Sequence, residues 1–217
     1  MKRALFVTIF VFLGLYVFAQ NAVIEEAVGT VEIKNSNENA FKKANNGDKI
    51  FQDTVISTSF KSFAIVKIGS TTLTIRPLTL LTLTEIQHLA ETETLNVNLQ
   101  TGRIRVDVKP PAGLKAATTV RGPTSTASVR GTSFEFDTSN LYVSEGSVNF
   151  GGSKGQHILV ARGGSSRTDH SGGVTNPRDE RISNLMPPAP VGTGATDTAT
   201  TGSVPAGAHF GIELKFL

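Results

Sequence analysis

The sequence predicts an all-β protein. It should form one rolled or stacked, antiparallel-rich β-sheet domain, solenoid- or sandwich-like, with a short C-terminal helix, a flexible linker and a terminal strand behind it. Three observations carry this. Apolar and polar residues alternate with a period of two from about Ala22 to Ala161. Glycine-bearing turns punctuate that alternation every eight to twelve residues or so. Thr, Ser, Gly and Val are abundant while Trp and Cys are absent, a composition that suits short strands and tight turns.

The first segment is of another kind. Lys2 and Arg3 precede an apolar run from Ala4 to Phe18, which closes on Ala19 before Gln20. A charged start, a short apolar run and a small residue are the plan of a secretory signal peptide, here over residues 1–19 with cleavage after Ala19. The run is shorter than the roughly 20 residues that a spanning helix needs. Without a Cys there is neither a lipid anchor on an N-terminal Cys nor a disulfide. The mature chain is expected to carry no transmembrane helix. Cleavage would remove two of the 21 basic side chains against 18 acidic ones, so the remaining charge is nearly balanced. Mixed charge of this sort gives no support for nucleic-acid binding.

The β-domain is expected over residues 22–163. Val31 and Ile33 flank Glu32, and Leu73 and Ile75 alternate with Thr72, Thr74 and Arg76. Leu95, Val97 and Leu99 alternate with Asn96 and Asn98, and Ile104, Val106 and Val108 with Arg103, Arg105 and Asp107. Phe134 and Phe136 flank Glu135, and Val148 and Phe150 flank Asn149. Successive Cβ atoms point to opposite faces of a strand, so each segment sends one row inward and one to water. Phe63 to Val66 is apolar at every position and predicts a central strand covered on both faces. Turns fall where Gly47, Gly69, Gly102 and Gly146 stand, because Gly reaches positive φ without a Cβ clash.

Beyond the β-domain, residues 164–186 read as a loop and a short docking helix. Asn176 and Pro177 suit a helix start, Asp179 and Glu180 complement its positive end, and Ile182, Leu185 and Met186 form one apolar stripe. Residues 187–208 hold one charge, Asp197, and no aromatic residue, which predicts a flexible linker. In residues 209–217, Phe210, Ile212, Leu214 and Phe216 alternate with Gly211, Glu213 and Lys215. This predicts a terminal strand able to add to a sheet edge of its own domain or of a partner.

The ordered series "VGTVEI", "ANNGDKI", "DTVIST", "SFAIVKIGSTTLTIRP", "LNVNLQTGRIRVDV", "ASVRGTSFEF" and "LYVSEGSVNF" resembles the FecR domain family from about Val23 to Gly163. The resemblance is carried by Gly29, Gly47, Asp48, Thr54, Gly69, Ser70, Pro77, Gly102, Val129, Arg130, Gly131, Thr132, Phe134, Glu145, Gly146 and Val148. Of these, Gly47, Asp48, Gly69, Gly102, Arg130, Gly131, Thr132, Phe134 and Gly146 are expected to be structural. The sequence departs from the family at Lys67 to Ser70, where the family has Asp before the Gly. Founding members join a cytoplasmic anti-sigma segment to a membrane helix and a periplasmic sensing part. The apolar stretch here begins at Ala4, so signalling to a sigma factor is not carried over. The resemblance implies a stand-alone, exported, non-enzymatic module of the cell envelope, located in the periplasm. It would bind or scaffold, with an envelope protein or cell-wall polymer as partner, or act as a sensor.

No catalytic, cofactor or metal constellation is expected. None of His88, His157, His170 and His209 lies within four residues of another His. Ser165, Ser166, Asp169 and His170 offer hydrolase residue types but lack the strand–turn–helix setting of a nucleophile elbow. Arg103, Arg105 and Lys109 share the polar face of one strand, and Arg121 and Arg130 lie on later segments that could approach them. This basic face is the candidate site for the alternative function, binding of a glycan or anionic lipid. The bland reading is a solvated face, with Asp107 among the charges, and Arg130 bracing a turn.

Overall fold

The computed structural model describes residues 22–89, 91–169 and 171–177. The signal segment, the body of the docking helix, the linker and the terminal strand with Phe210, Ile212, Leu214 and Phe216 lie outside the described residues.

The described residues form seventeen strands, and Pro177, the last of them, is helical. The first nine are β1 (Ala22–Val28), β2 (Val31–Lys34), β3 (Lys42–Lys43), β4 (Lys49–Ile50), β5 (Thr54–Thr58), β6 (Phe63–Ile68), β7 (Thr71–Ile75), β8 (Thr79–Leu89) and β9 (Thr92–Thr101). The rest are β10 (Arg103–Val108), β11 (Lys115–Arg121), β12 (Ser125–Val129), β13 (Ser133–Asp137), β14 (Asn140–Glu145), β15 (Ser147–Gly152), β16 (His157–Ala161) and β17 (Ser165–Arg167). An 8-stranded sheet runs β17-β14-β13-β10-β7-β6-β1-β4, and a 9-stranded sheet runs β16-β15-β12-β11-β9-β8-β5-β2-β3. From β6 onward the chain crosses between them by turns. It lays β6–β7 in the first sheet, β8–β9 in the second, β10 in the first, and so on to β17. Pairing is antiparallel except between β9 and β11, which run parallel.

The sandwich expectation therefore holds, and the alternation explains it. In β7, Thr71, Leu73 and Ile75 are buried while Thr72 and Thr74 are half-buried. β10 and β12 follow the same rule. Inward rows meet between the sheets. Phe134, Phe136 and Phe150 are completely buried there. The Phe136 and Phe150 rings meet edge to face across the two sheets, with centroids 6.3 Å apart. Burying a side chain of this size contributes about 1.5–3 kcal/mol.

Two expectations change. Phe63 to Val66 is not covered on both faces: Ala64 and Val66 are buried, but Phe63 and Ile65 are only half-buried. β6 belongs to one layer of a two-layer stack, so only one of its faces meets the other sheet. The loop expected after Gly163 is in part structure. Ser165–Arg167 is β17, paired with β14, and Thr168 bridges Val174. Three residues are too few to show a period of two.

Turn geometry accounts for two glycines of the "TGRI" and "VRGT" segments. Gly102 has φ +92 and lies so close to the β7–β8 turn that a Cβ would sit 2.5 Å from the Thr79 Cα and 2.7 Å from the Leu78 carbonyl oxygen. Gly131 has φ +67, but its nearest neighbour, Pro110, is 3.7 Å from the Cβ position. Gly102 is required by conformation and by space; Gly131 by conformation alone.

Two predictions follow these placements. Phe136→Ala should cost roughly 3–5 kcal/mol in urea unfolding through the cavity it leaves. Glu135→Ala, one residue away on the outer face, should cost less than about 1 kcal/mol. Equal losses would show that the inward and outward rows are misassigned. Gly131→Ala should lower stability by about 1–2 kcal/mol, the cost of a left-handed residue. Gly102→Ala should cost more, roughly 2–5 kcal/mol, because a clash is added. A smaller loss at Gly102 than at Gly131 would contradict the close approach.

Candidate functional site

The outer face of the first sheet holds the densest set of interacting charges. The register of β10 and β13 sets Arg103 opposite Asp137 and Arg105 opposite Glu135. Arg76 follows β7 and donates its backbone N–H to the Arg103 carbonyl oxygen at 3.0 Å, which brings a third guanidinium into line.

These charges pair with one another. Arg103 Nη2 lies 3.4 Å from Asp137 Oδ2. Arg76 Nη2 lies 3.3 Å from Glu135 Oε1, and Arg105 Nη1 lies 3.8 Å from the same oxygen. Arg105 also donates Nε–H to Asp107 Oδ2 at 3.0 Å and Nη2–H to Asp107 Oδ1 at 3.2 Å, a two-pronged contact. Three arginines face three carboxylates. Burial, the largest influence on Asp107, opposes its ionisation. Hydrogen bonds from Arg105 and Ser133 and the charges of Arg105 and Lys109 together outweigh it and hold the carboxyl below its usual range. Asp137 behaves alike: burial opposes ionisation, and the backbone N–H groups of Asn140 and Ser139, the Asn140 side chain and the Arg103 charge overcome it. The Arg105 guanidinium is raised above its usual range, first by its hydrogen bond to Asp107.

The Asp137 turn shapes the surface. Asp137 Oδ1 accepts from the Ser139 N–H at 3.1 Å and the Asn140 N–H at 2.8 Å, while Oδ2 faces Arg103. Between this turn and the Pro77–Leu78 turn lies an open depression of about 670 Å³, lined also by Arg76, Gly102, Arg103 and Glu135. A second depression of about 320 Å³ shares Arg103, Glu135, Asp137 and Asn140 with it and runs on to Tyr142 and Arg167. Tyr142 is exposed there, and Leu78 is exposed at the other end. The surface is polar, charge-balanced and open, suited to a partner with both signs of charge.

The structure separates Arg121 and Arg130 from the cations of β10. Arg103 and Arg105 are on this face. Lys109 follows the end of β10, with its backbone N–H donating to the Ser70 carbonyl oxygen at 3.1 Å. Arg121 is in the other sheet. Arg130 is exposed at the β12–β13 turn, and its side chain has no hydrogen-bond or ion-pair partner among the described residues. It does not brace that turn; Thr132 does, donating Oγ1–H to the Ser147 carbonyl oxygen at 3.1 Å. Gly47, Gly69 and Gly146 occupy turns at positive φ, and Asp48 Oδ2 accepts from the Asn45 N–H at 2.8 Å.

Sequence reasoning missed a clasp between the sheets. Glu93, from β9, accepts the Ser70 backbone N–H at 2.9 Å and the Ser70 hydroxyl, and so caps the β6–β7 turn of the first sheet. His88 Nδ1 lies 3.0 Å from Glu93 Oε1. The cavity beneath, about 20 Å³, holds no more than a water-sized body. No signal in "TETLNV" marks Glu93, because its partner is 23 residues away.

Among the described residues no group of three or more His, Asp or Glu could hold a metal ion. Ser166 is buried with its Oγ–H on the Thr175 carbonyl oxygen at 2.6 Å. Asp169 Oδ1 accepts the Ser171 and Gly173 N–H groups at 2.8 Å each. Both residues are engaged in folding the last turns; His170 lies outside the described residues.

Comparison with known proteins bears on the fold and the family. A search of curated proteins finds no match. Two crystal structures of a protein from Parabacteroides distasonis, described as a candidate anti-sigma factor, are similar at 14% and 12% identity, with TM-scores of 0.46 and 0.45. Each similarity covers 56% of this chain, and the chain spans 57% of that protein. The family model described as FecR protein matches residues 54–149, which run from β5 into β15 and include Arg76, Arg103, Arg105, Glu135 and Asp137. Proteins of this family are regulatory and envelope-associated, so the match supports a sensory or regulatory role of that kind. These residues form the continuous centre of both sheets, and it is over them that the chain matches the FecR family.

Proposed function

We propose that this protein is an exported, non-catalytic module of the periplasm that holds an envelope partner, most simply another protein, on the outer face of β7, β10, β13 and β14. The family match supplies the envelope setting. One observation carries the choice of surface. Arg76, Arg103 and Arg105 are interleaved with Asp107, Glu135 and Asp137 beside an open depression of about 670 Å³. Side chains already fixed by their neighbours lose little freedom on binding, so such a lattice suits recognition of a mixed-charge surface. It bears no reacting group of the kind hydrolysis needs. Among the described residues no helix is long and apolar enough to cross a membrane. Attachment to the envelope would then run through the partner.

The rival, a glycan or anionic lipid on Arg103, Arg105 and Lys109, has less to support it. A purely anionic ligand would meet three carboxylates on the same face, and like charge brought together costs affinity.

Two outcomes test the proposal. Protein recovered from the envelope fraction should have an intact mass that starts at Gln20; a full-length mass in the membrane fraction would contradict cleavage after Ala19. A photocrosslinking residue placed at Tyr142 should capture a specific protein in intact cells, and one placed at Asn98 in the second sheet should not. Equal capture at the two positions, or none at Tyr142, would overturn the surface assignment. Retention on cell-wall polymer that mild salt elutes would favour the rival, because exposed ion contacts are screened.

A further inference from the structure

A sheet in solution must protect its edges, because an edge strand presents unpaired N–H and C=O groups to any other strand. Three of the four edges here are protected in the usual ways. β3 and β4 have two residues each, and all but one of those four residues are lysines. β17 has three residues and carries Arg167. The fourth edge is different. β16 has five residues, His157, Ile158, Leu159, Val160 and Ala161, with no Lys, Arg, Asp, Glu or Pro.

Hydrogen-bond parity shows which groups are free. The Gly152 N–H donates to the Gln156 carbonyl oxygen at 3.0 Å where β15 turns into β16. Antiparallel pairs alternate between bonded and non-bonded, so Ile158 and Val160 bond to Phe150 and Val148 in β15. The backbone groups of His157, Leu159 and Ala161 therefore face outward along the edge. The Ala161 carbonyl oxygen accepts the Gly164 N–H at 2.9 Å; the others have no partner among the described residues. Leu159, at the centre, is 67% exposed, among the most exposed large apolar residues described.

We infer that β16 is a self-association edge, on which a second copy of this chain adds its own β16 antiparallel. The strand matches itself about a two-fold axis through Leu159. Leu159 of each copy would stand opposite Leu159 of the other and exchange both N–H and C=O bonds. Ile158 would stand opposite Val160 on the inner side and His157 opposite Ala161 on the outer. Continued by one residue, Gln156 meets Arg162. No two like charges are opposed anywhere along the pairing, which a two-fold contact needs because each residue must accept its own mirror partner. The two nine-stranded sheets would join into one, and both exposed Leu159 side chains would leave water together. Five residues bury little area, so the dimer is weak and depends on concentration. The edge lies in the other sheet from the charged face, so this inference stands or falls apart from the proposed function.

Sedimentation equilibrium of the full exported chain over a concentration series tests it. The expected result is a monomer–dimer equilibrium. L159K and L159E should each weaken the dimer about tenfold or more, because each puts like charges face to face on the two-fold axis. An equimolar mixture of the two variants should restore it, since a Lys then faces a Glu. Both substitutions lie on an exposed position, and unchanged melting temperatures would show that the fold is kept. In the unmodified protein, amide exchange at His157, Leu159 and Ala161 should slow as concentration rises. A monomer at every concentration, a dimer indifferent to L159K, a mixture that stays monomeric, or amides already protected at the lowest concentration would each overturn the inference.

Discussion

The constraint on which everything else rests is that each strand has one sheet to hide against and one face left for water. Two layers leave room for a single row of inward side chains per strand. That is why the chain alternates so strictly, and why Thr71 and Thr118 occupy inward positions while Ile65 and Leu159 can stand outward. Where the pattern is broken, as at Phe63 to Val66, the layer count overrides local hydrophobicity. The apolar residues of the wrong parity simply remain half-wet.

Two contacts keep the layers in register with each other. The Phe136–Phe150 pair joins β13 of one sheet to β15 of the other through ring edges in the dry interior. Glu93 joins β9 to the β6–β7 turn through charge-assisted hydrogen bonds nearer the surface. The first is insensitive to what surrounds it. The second is half-open to water and fixes where one turn lies, and with it the start of β7. Arg76 follows the end of that strand, so the clasp and the charged face share an element.

The charged face owes its chemistry to pairing rather than to composition. Arg103 and Arg105 alone would make a basic strand. β13 alongside β10 brings Glu135 and Asp137, and the face becomes neutral with its side chains held in place. Paired and charge-balanced is a different instruction to a partner from basic and unpaired. It favours a matched pattern over attraction at a distance. The free edge at β16 follows the same logic from the opposite direction. There the pairing stops, and backbone groups that elsewhere are consumed remain available.

From the residues alone come the class of fold, the inward and outward rows, the turn glycines and the resemblance to the FecR family. All of these are local. Alternation is a property of residues two apart, and a positive φ at Gly102 or Gly131 is a property of one residue. Arg103 and Arg105, two apart on β10, share a face for the same reason. Which strands become neighbours, and therefore which charges meet, follows from the order of strands in the two sheets. Glu135 is 59 residues from Arg76, and Glu93 is 23 from Ser70. No period carries over such distances, because strand order depends on how successive hairpins cross between two sheets. Arg121 and Arg130 were separated from the charged face for that reason. For that reason too, an uncharged five-residue strand was left at an edge, where its exposed backbone has consequences that the same residues at the centre of a sheet would lack.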